Sequence, residues 1–190
     1  DAYHLTAGPE DGSGAALAID ACLKRAAVSP DAIGYINGHA TSTSVGDRGE
    51  IVALRRVFGA ALAGIPISST KSSIGHLLGA AGGVEAVFSA LAVLRGILPP
   101  TLNFGNPDDG AEDLDFIPLK ARAKTLRSAL CNSFGFGGVN ASLCLRALTA
   151  AEDARGSRSI SAGSGEAFQF AKGLQPQFHG TEALCLLELG

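Results

Sequence analysis

Ser69-Thr-Lys-Ser-Ser-Ile-Gly-His76-Leu-Leu-Gly-Ala-Ala-Gly-Gly-Val-Glu85 decides how the rest of this chain is read. Its β-branched lead-in predicts a short strand over Ile65–Ser69, and the residues after it predict a helix running to about Arg95. Lys71 and His76 fall where strand hands over to helix. The helix contains Gly75, Gly79, Gly82 and Gly83, and each Gly costs about 1 kcal/mol against Ala in a helix interior. Such a helix makes sense if it is buried and other backbone must approach it closely. A Lys and a His at its mouth form a site pattern. The same residues also read as a core helix carrying a solvated histidine, and this stretch alone leaves both readings open.

Composition narrows the function classes. The 190 residues are 46% hydrophobic and 17% charged, enough for one sizeable core and part of a second. A net charge of −3 with no basic cluster gives no electrostatic case for nucleic acid or an anionic membrane surface. The longest mostly apolar run, Ala86 to Leu94, lies between Glu85 and Arg95, far short of the roughly 20 residues of a membrane span. The start reads as internal, with no signal-like segment. Cys22, Cys131, Cys144 and Cys185 lack paired spacing and the histidines are scattered, so no metal site is expected and buried thiols in a reducing compartment are.

Working outward, residues 1–12 read as loop, and Ser13 or Gly14 opens a helix to about Ala27 with Leu17, Ile19, Cys22, Leu23 and Ala26 on its apolar face. Ile33–Asn37 is a strand with His39 just past its end, followed by the hydroxyl-rich Thr41-Ser-Thr43-Ser44. Asp47 and Glu50 resemble a capping box at the start of the next helix, in which Ile51, Leu54, Val57 and Phe58 recur at helical spacing. This alternation argues for layered α/β architecture with strands covered on both faces. Leu126–Asn132 and Val139–Leu148 read as a terminal β-hairpin at the sheet edge, flanking the glycine-hinged Ser133-Phe-Gly-Phe-Gly-Gly138. Composition breaks near Thr149. Residues 149–175 read as linker or disorder, and 181–189 as a short helix.

Ligands of open α/β sheets lie beyond the carboxyl ends of strands, and both His39 and His76 fall at such ends. Two neutral imidazole N–H groups aimed at one point make an oxyanion hole for a developing enolate. Thr41 and Thr43 offer hydroxyls to an amide- or hydroxyl-bearing substrate arm. Phe134 and Phe136 suit a gate over an apolar channel and equally suit packing of a hairpin on the core.

These residues reach a family. Asn37-Gly-His39-Ala-Thr-Ser-Thr43 with Gly46-Asp47 resembles the first histidine motif of the elongating, type II β-ketoacyl-acyl-carrier-protein synthases, and Ser69–Gly82 resembles their lysine–histidine motif. Pro99-Pro-Thr-Leu-Asn103 and Cys131-Asn-Ser-Phe-Gly-Phe-Gly-Gly138 match two further signatures in the right order. The resemblance covers residues 1–148 and leaves 149–190 as an unassigned tail.

The resemblance implies a thiolase-like α/β/α fold, of which this is most of the C-terminal half. It implies fatty-acid elongation by decarboxylative Claisen condensation of a malonyl thioester, on acyl carrier protein, with an acyl-enzyme thioester. By matching position, His39 and His76 hold the malonyl oxygen, Lys71 organises the site through an ion pair to Glu85, and Thr41 and Thr43 meet the phosphopantetheine arm. Phe136, with Phe134 beside it, gates acyl access, and the Asp1–Gly12 loop matches a second mobile loop near that gate. No metal or resident cofactor is implied. The partners implied are acyl carrier protein and a second copy in a homodimer, in the cytoplasm or, in a eukaryote, a mitochondrion or plastid. Ala40 stands where many members have Gly. The nucleophilic cysteine of the family lies in the other half, and Cys131 matches a strand position with no nucleophilic role, so a buried structural thiol is expected there. A non-catalytic chain-length-type partner and a polyketide ketosynthase fragment are the alternatives. A thiolase-type, CoA-dependent relative fits less well, because Cys131-Asn-Ser lacks the late Cys-Gly motif.

Overall fold

The computed structural model describes residues 1–148 and the backbone of residues 184–189. Its elements are α1 (Ser13–Ala26), β1 (Ile36–Asn37), α2 (Ser44–Phe58), β2 (Ile67–Ser68), α3 (Lys71–Ile74), α4 (Ala81–Arg95), β3 (Ile97–Leu98), β4 (Arg122–Ala123), β5 (Ser128–Gly135), β6 (Val139–Ala147) and β7 (Leu184–Leu189). The main sheet has the order β2-β1-β5-β6-β7, and β3 pairs with β4 in a separate ribbon. β1 runs parallel to both β2 and β5, whereas β5 and β6 are antiparallel.

Alternation along the strands builds two cores, because successive side chains point to opposite sheet faces. Ile36, Leu130 and Cys144 stand side by side in register and pack with Ile19, Cys22, Leu23, Ala53 and Leu54 of α1 and α2. Their neighbours Tyr35 and Ala129 face the other way, against Ala92 and Val93 of α4. The expected layered α/β/α arrangement is what forms.

Several local expectations are corrected. The strands predicted over Ile33–Asn37 and Ile65–Ser69 shrink to two residues each. Pro66 has no N–H to give a ladder, the Ile65 N–H turns back to the Leu62 carbonyl, and the Ser69 N–H goes to the Thr101 side chain. The hairpin is not at an edge. β5 is the central strand, and β6 has β7 parallel on its far side. Residues 184–189 are therefore strand where a short helix is expected, because so short a helix is marginal by itself and β6 supplies a ladder. The linker expected over 149–175 lies outside the described residues.

The predicted Gly-rich helix is broken into pieces. α3 is a single turn ending at Gly75 (φ 77), Leu77 follows, Leu78–Ala80 forms a tight turn with Leu78 at φ 51, and α4 then starts at Ala81. Only Gly82 serves close approach, with Ser133 Oγ 3.1 Å from where a Cβ would sit; Gly75, Gly79 and Gly83 have nothing within 4 Å. The window Leu78–Arg95, longer than the run picked from sequence, has a mean hydropathy of 1.4 and by length and composition passes for a membrane-crossing helix. It also carries the buried Glu85, engaged with Lys71, and lays Ala81, Glu85, Ser89, Ala92 and Val93 inward. These five residues form the face that α4 lays on the sheet, while Val87 and Leu94 are exposed on its other sides.

Candidate active site

Three parallel strands deliver the site at their carboxyl ends. His39 follows β1, Lys71 follows β2, and Phe134 lies three residues beyond Cys131, the β5 partner of Asn37. The rings of His39 and His76 meet edge to face with centroids 5.4 Å apart, and Phe134 meets His39 edge-on at 5.8 Å. Two histidines far apart in sequence are thus neighbours only because β1 and β2 are. His76 is exposed and sits in the break between α3 and the turn before α4. There its Nδ1 accepts the Leu78 N–H at 3.3 Å, which leaves the proton of a neutral ring on Nε2.

His39 is half-buried, with Nδ1 turned inward and no hydrogen-bond partner. Burial, reinforced by the charge of Lys71 and by His76, pushes its imidazolium down to about 3. The ring is therefore neutral across the physiological range. Lys71 and Glu85 form the expected ion pair, 2.5 Å between Nζ and Oε1, with side chains 5% and 1% exposed. Because the helix is broken, this pair spans two elements rather than the first turns of one. Burial raises the Glu85 carboxyl and the Lys71 contact opposes that shift.

The hydroxyls of Thr41 and Thr43 lie 3.0 Å apart on the loop before α2, Thr43 exposed and Thr41 half-buried. Phe136 is 68% exposed on the turn Phe136–Gly138, in which Gly137 and Gly138 take φ 75 and 78. Phe134, not Phe136, is the ring against His39. The Asp1–Gly12 stretch does lie beside this turn: Gly137 N–H donates to the Leu5 carbonyl at 2.8 Å, and Asn140 Nδ2 donates to Asp1 Oδ2 at 2.8 Å. Cys131 is buried and its thiol is pushed up to about 12, by burial above all. A thiol held protonated is no nucleophile. Among the described residues, no group of three or more His, Cys, Asp or Glu is placed to hold a metal ion.

The residue missed by sequence reasoning is Glu50. Instead of completing a capping box it is 5% exposed and accepts the N–H groups of His39 (3.0 Å) and Ala40 (2.8 Å) and Nδ2 of Asn132 (3.0 Å). Asn132 is held in turn by the Ser142 hydroxyl. α2 starts with no side-chain cap on Thr43, while Asp47 accepts the Ser42 N–H at 3.1 Å. The sequence carries one faint signal for this network: an Asn inside an otherwise apolar strand requires a buried partner.

Known proteins resemble this chain in sequence and in fold. Residues 1–105 match the family described as Beta-ketoacyl synthase, C-terminal domain. The 3-oxoacyl-(acyl-carrier-protein) synthase 2 of Rhizobium meliloti is 53% identical over 149 residues, 78% of this chain and 35% of that protein. The corresponding mitochondrial synthase of Arabidopsis thaliana is 51% identical over 75% of this chain and 32% of its own length. Among solved structures, a ketosynthase complex with its type II polyketide acyl-carrier protein is similar at a TM-score of 0.69 with 40% identity, over 73% of this chain and 34% of that one. The chain spans about a third of the length of the curated relatives it matches. It belongs to the β-ketoacyl synthase C-terminal domain family.

Proposed function

We propose that this chain supplies the decarboxylation half of a β-ketoacyl-acyl-carrier-protein synthase active site, working in fatty-acid elongation. The observation that carries the reading is the pair of histidines, 5.4 Å between ring centroids, one held neutral by burial and the other with its proton directed to Nε2. In this reading both imidazoles donate to the thioester oxygen of a malonyl group on acyl carrier protein. The bond to the carboxylate breaks, carbon dioxide leaves, and the electron pair passes into an enolate whose charge sits on that oxygen. Donors prearranged for a charge that exists only at the transition state accelerate the step itself. The enolate carbon then attacks an acyl thioester and expels a cysteine thiolate supplied by another part of the complete enzyme. Lys71, paired to Glu85, places positive charge near His39 and adds to the burial that keeps it neutral. Thr41 and Thr43 receive the phosphopantetheine arm. Phe134 and Phe136 flank acyl access, with Phe136 as the mobile member on its glycine turn.

Residues 1–148 form the synthase domain in this proposal, with 149–190 outside it. A homodimer is proposed for the complete enzyme, with no resident cofactor, in a reducing compartment: the bacterial cytoplasm or, in a eukaryote, a mitochondrion or plastid. A relative named as mitochondrial supports that last option. A second reading, a chain-length-type partner, has support in the likeness to a solved ketosynthase/chain length factor pair at 35% identity and a TM-score of 0.68. Retention of the whole His39, His76, Lys71 and Glu85 set weighs against it.

The test assays the two half-reactions separately on the complete gene product. His39→Ala and His76→Ala are each expected to slow carbon dioxide release from malonyl-carrier protein by about 10²–10³, with acyl transfer to the cysteine hurt less. Release at the parent rate by either variant overturns the assignment of that histidine.

A further inference from the structure

The hydrogen bonds between the two histidine-bearing loops lead to residues outside the catalytic set. Ser69, 7% exposed, uses every polar group it has. Its hydroxyl donates to the Ala40 carbonyl at 2.8 Å, its N–H donates to Thr101 Oγ1 at 3.3 Å, and its carbonyl accepts the Ser72 hydroxyl at 2.7 Å. Ala40 adjoins His39, and Ser69 opens the turn that carries Lys71 and His76. The Ala40 residue is thereby gripped from both sides, its N–H by the Glu50 carboxylate and its C=O by the Ser69 hydroxyl. The Gly38 N–H to Ser68 carbonyl bond, 2.9 Å, belongs to the strand ends and lies upstream of His39.

Thr101 stands behind Ser69. While accepting the Ser69 N–H, its hydroxyl donates to the Phe116 carbonyl at 2.8 Å, and the Leu102 N–H donates to Ser72 Oγ at 2.8 Å. Pro99-Pro-Thr-Leu-Asn103, a motif to which the chemistry assigns no role, is thus the back wall of the Ser69–Ser72 turn. Two prolines fix φ just before Thr101, so the wall is stiff.

We propose that Ser69 is a positioning residue that holds the His39 loop at its distance from the Lys71–His76 loop, and that Thr101 braces it. The inference rests on reading the histidine pair as the decarboxylation site. Two donors must converge on one oxygen, and a misplacement of about 1 Å costs up to about 10² in rate. A hydroxyl clamped between an Ala40 carbonyl and a rigid neighbour limits that drift.

The test has a structural arm and a catalytic arm. The edge-to-face rings make each histidine's ring protons sensitive to the other ring, so proton NMR of the 190-residue chain reports their separation without any activity. Ser69→Ala is expected to shift the His39 and His76 ring signals and to raise the pH at which His39 titrates, with the far-ultraviolet circular dichroism unchanged. Thr101→Val is expected to move the same signals less, and Thr101→Ser, which keeps the hydroxyl, to restore them. In the complete gene product Ser69→Ala is expected to lower kcat for malonyl decarboxylation by up to about 10² at nearly constant KM. Unchanged ring signals in Ser69→Ala overturn the proposal; should that variant not fold, unchanged signals in Thr101→Val do so. Shifted signals in a protein whose complete parent releases no carbon dioxide keep the positioning role and sink the functional reading instead.

Discussion

His39 shows how one residue links burial to acid sensitivity. Its imidazolium is pushed from 6.5 to about 3 by desolvation, with Lys71 and His76 adding to it. Between those values the unfolded chain binds the proton and the folded chain does not, so His39 makes stability rise with pH. Its contribution is intact above 6.5 and is lost progressively as pH falls toward 3. Urea midpoints at pH 7 and pH 5 are expected to differ less in His39→Asn than in the parent; an equal difference would mean that the ring is solvated. Glu50 shifts upward through burial, so its effect has the opposite sign: the stability tied to its protonated form is lost as pH rises. Glu50→Gln keeps one acceptor oxygen and turns an NH2 toward backbone N–H groups. At least one of the His39, Ala40 and Asn132 donors is left unmet, at a cost of about 1–3 kcal/mol. Urea denaturation at neutral pH measures this, and a loss below a few tenths would place Glu50 in a solvated setting.

At the scale of elements, the broken Gly-rich segment separates helix propensity from packing. Gly82 and Gly83 are neighbours in α4, yet a Cβ on Gly82 would lie 3.1 Å from Ser133 Oγ, while one on Gly83 meets nothing within 4 Å. Gly83→Ala should therefore stabilise the chain by up to about 1 kcal/mol through helix propensity alone. Gly82→Ala should gain less or lose, because β5 must give way. Thermal melts of the two variants, compared directly, check this. Equal shifts would mean that α4 does not sit on β5 as described. The break itself belongs to the site: without Gly75 at φ 77 and the Leu78–Ala80 turn, His76 would lie inside a helix and its Nδ1 would not receive the Leu78 N–H.

For the whole molecule, the sheet brings parts of one site together and leaves other groups out. β2, β1 and β5 set Lys71, His39 and Phe134 at one end. The cysteine nearest that end, Cys131, has a thiol held at about 12. The 190-residue chain is therefore expected to take up no acyl group. Incubation with a labelled acyl-carrier-protein donor and then intact-protein mass spectrometry should show the unmodified mass. A stoichiometric adduct that disappears in Cys131→Ala would overturn the view of this cysteine as structural. α4 is apolar around its circumference, and a helix of that kind is normally covered on all sides. Among the described residues it is covered on one, leaving Val87 at 59% and Leu94 at 52% exposed.

Residue types and local order were legible in the sequence. His39, His76, Lys71 and Glu85, the succession of α1, β1, α2, β2, β5 and β6, and the inert setting of Cys131 all come from motifs whose chemistry is local or from a resemblance carried by contiguous residues. Other features depend on which strands pair. Glu50 looks like a helix cap until β5, far along the chain, brings Asn132 to it. Ser69 looks like the end of a strand until Thr101 takes its N–H. The titration of His39 depends on what is packed around its ring, and β7 on the ladder that β6 offers. The physical reason is common to all of them. A buried polar group or strand edge must find a partner, and sequence shows the need for one, whereas only the tertiary structure decides which group meets it.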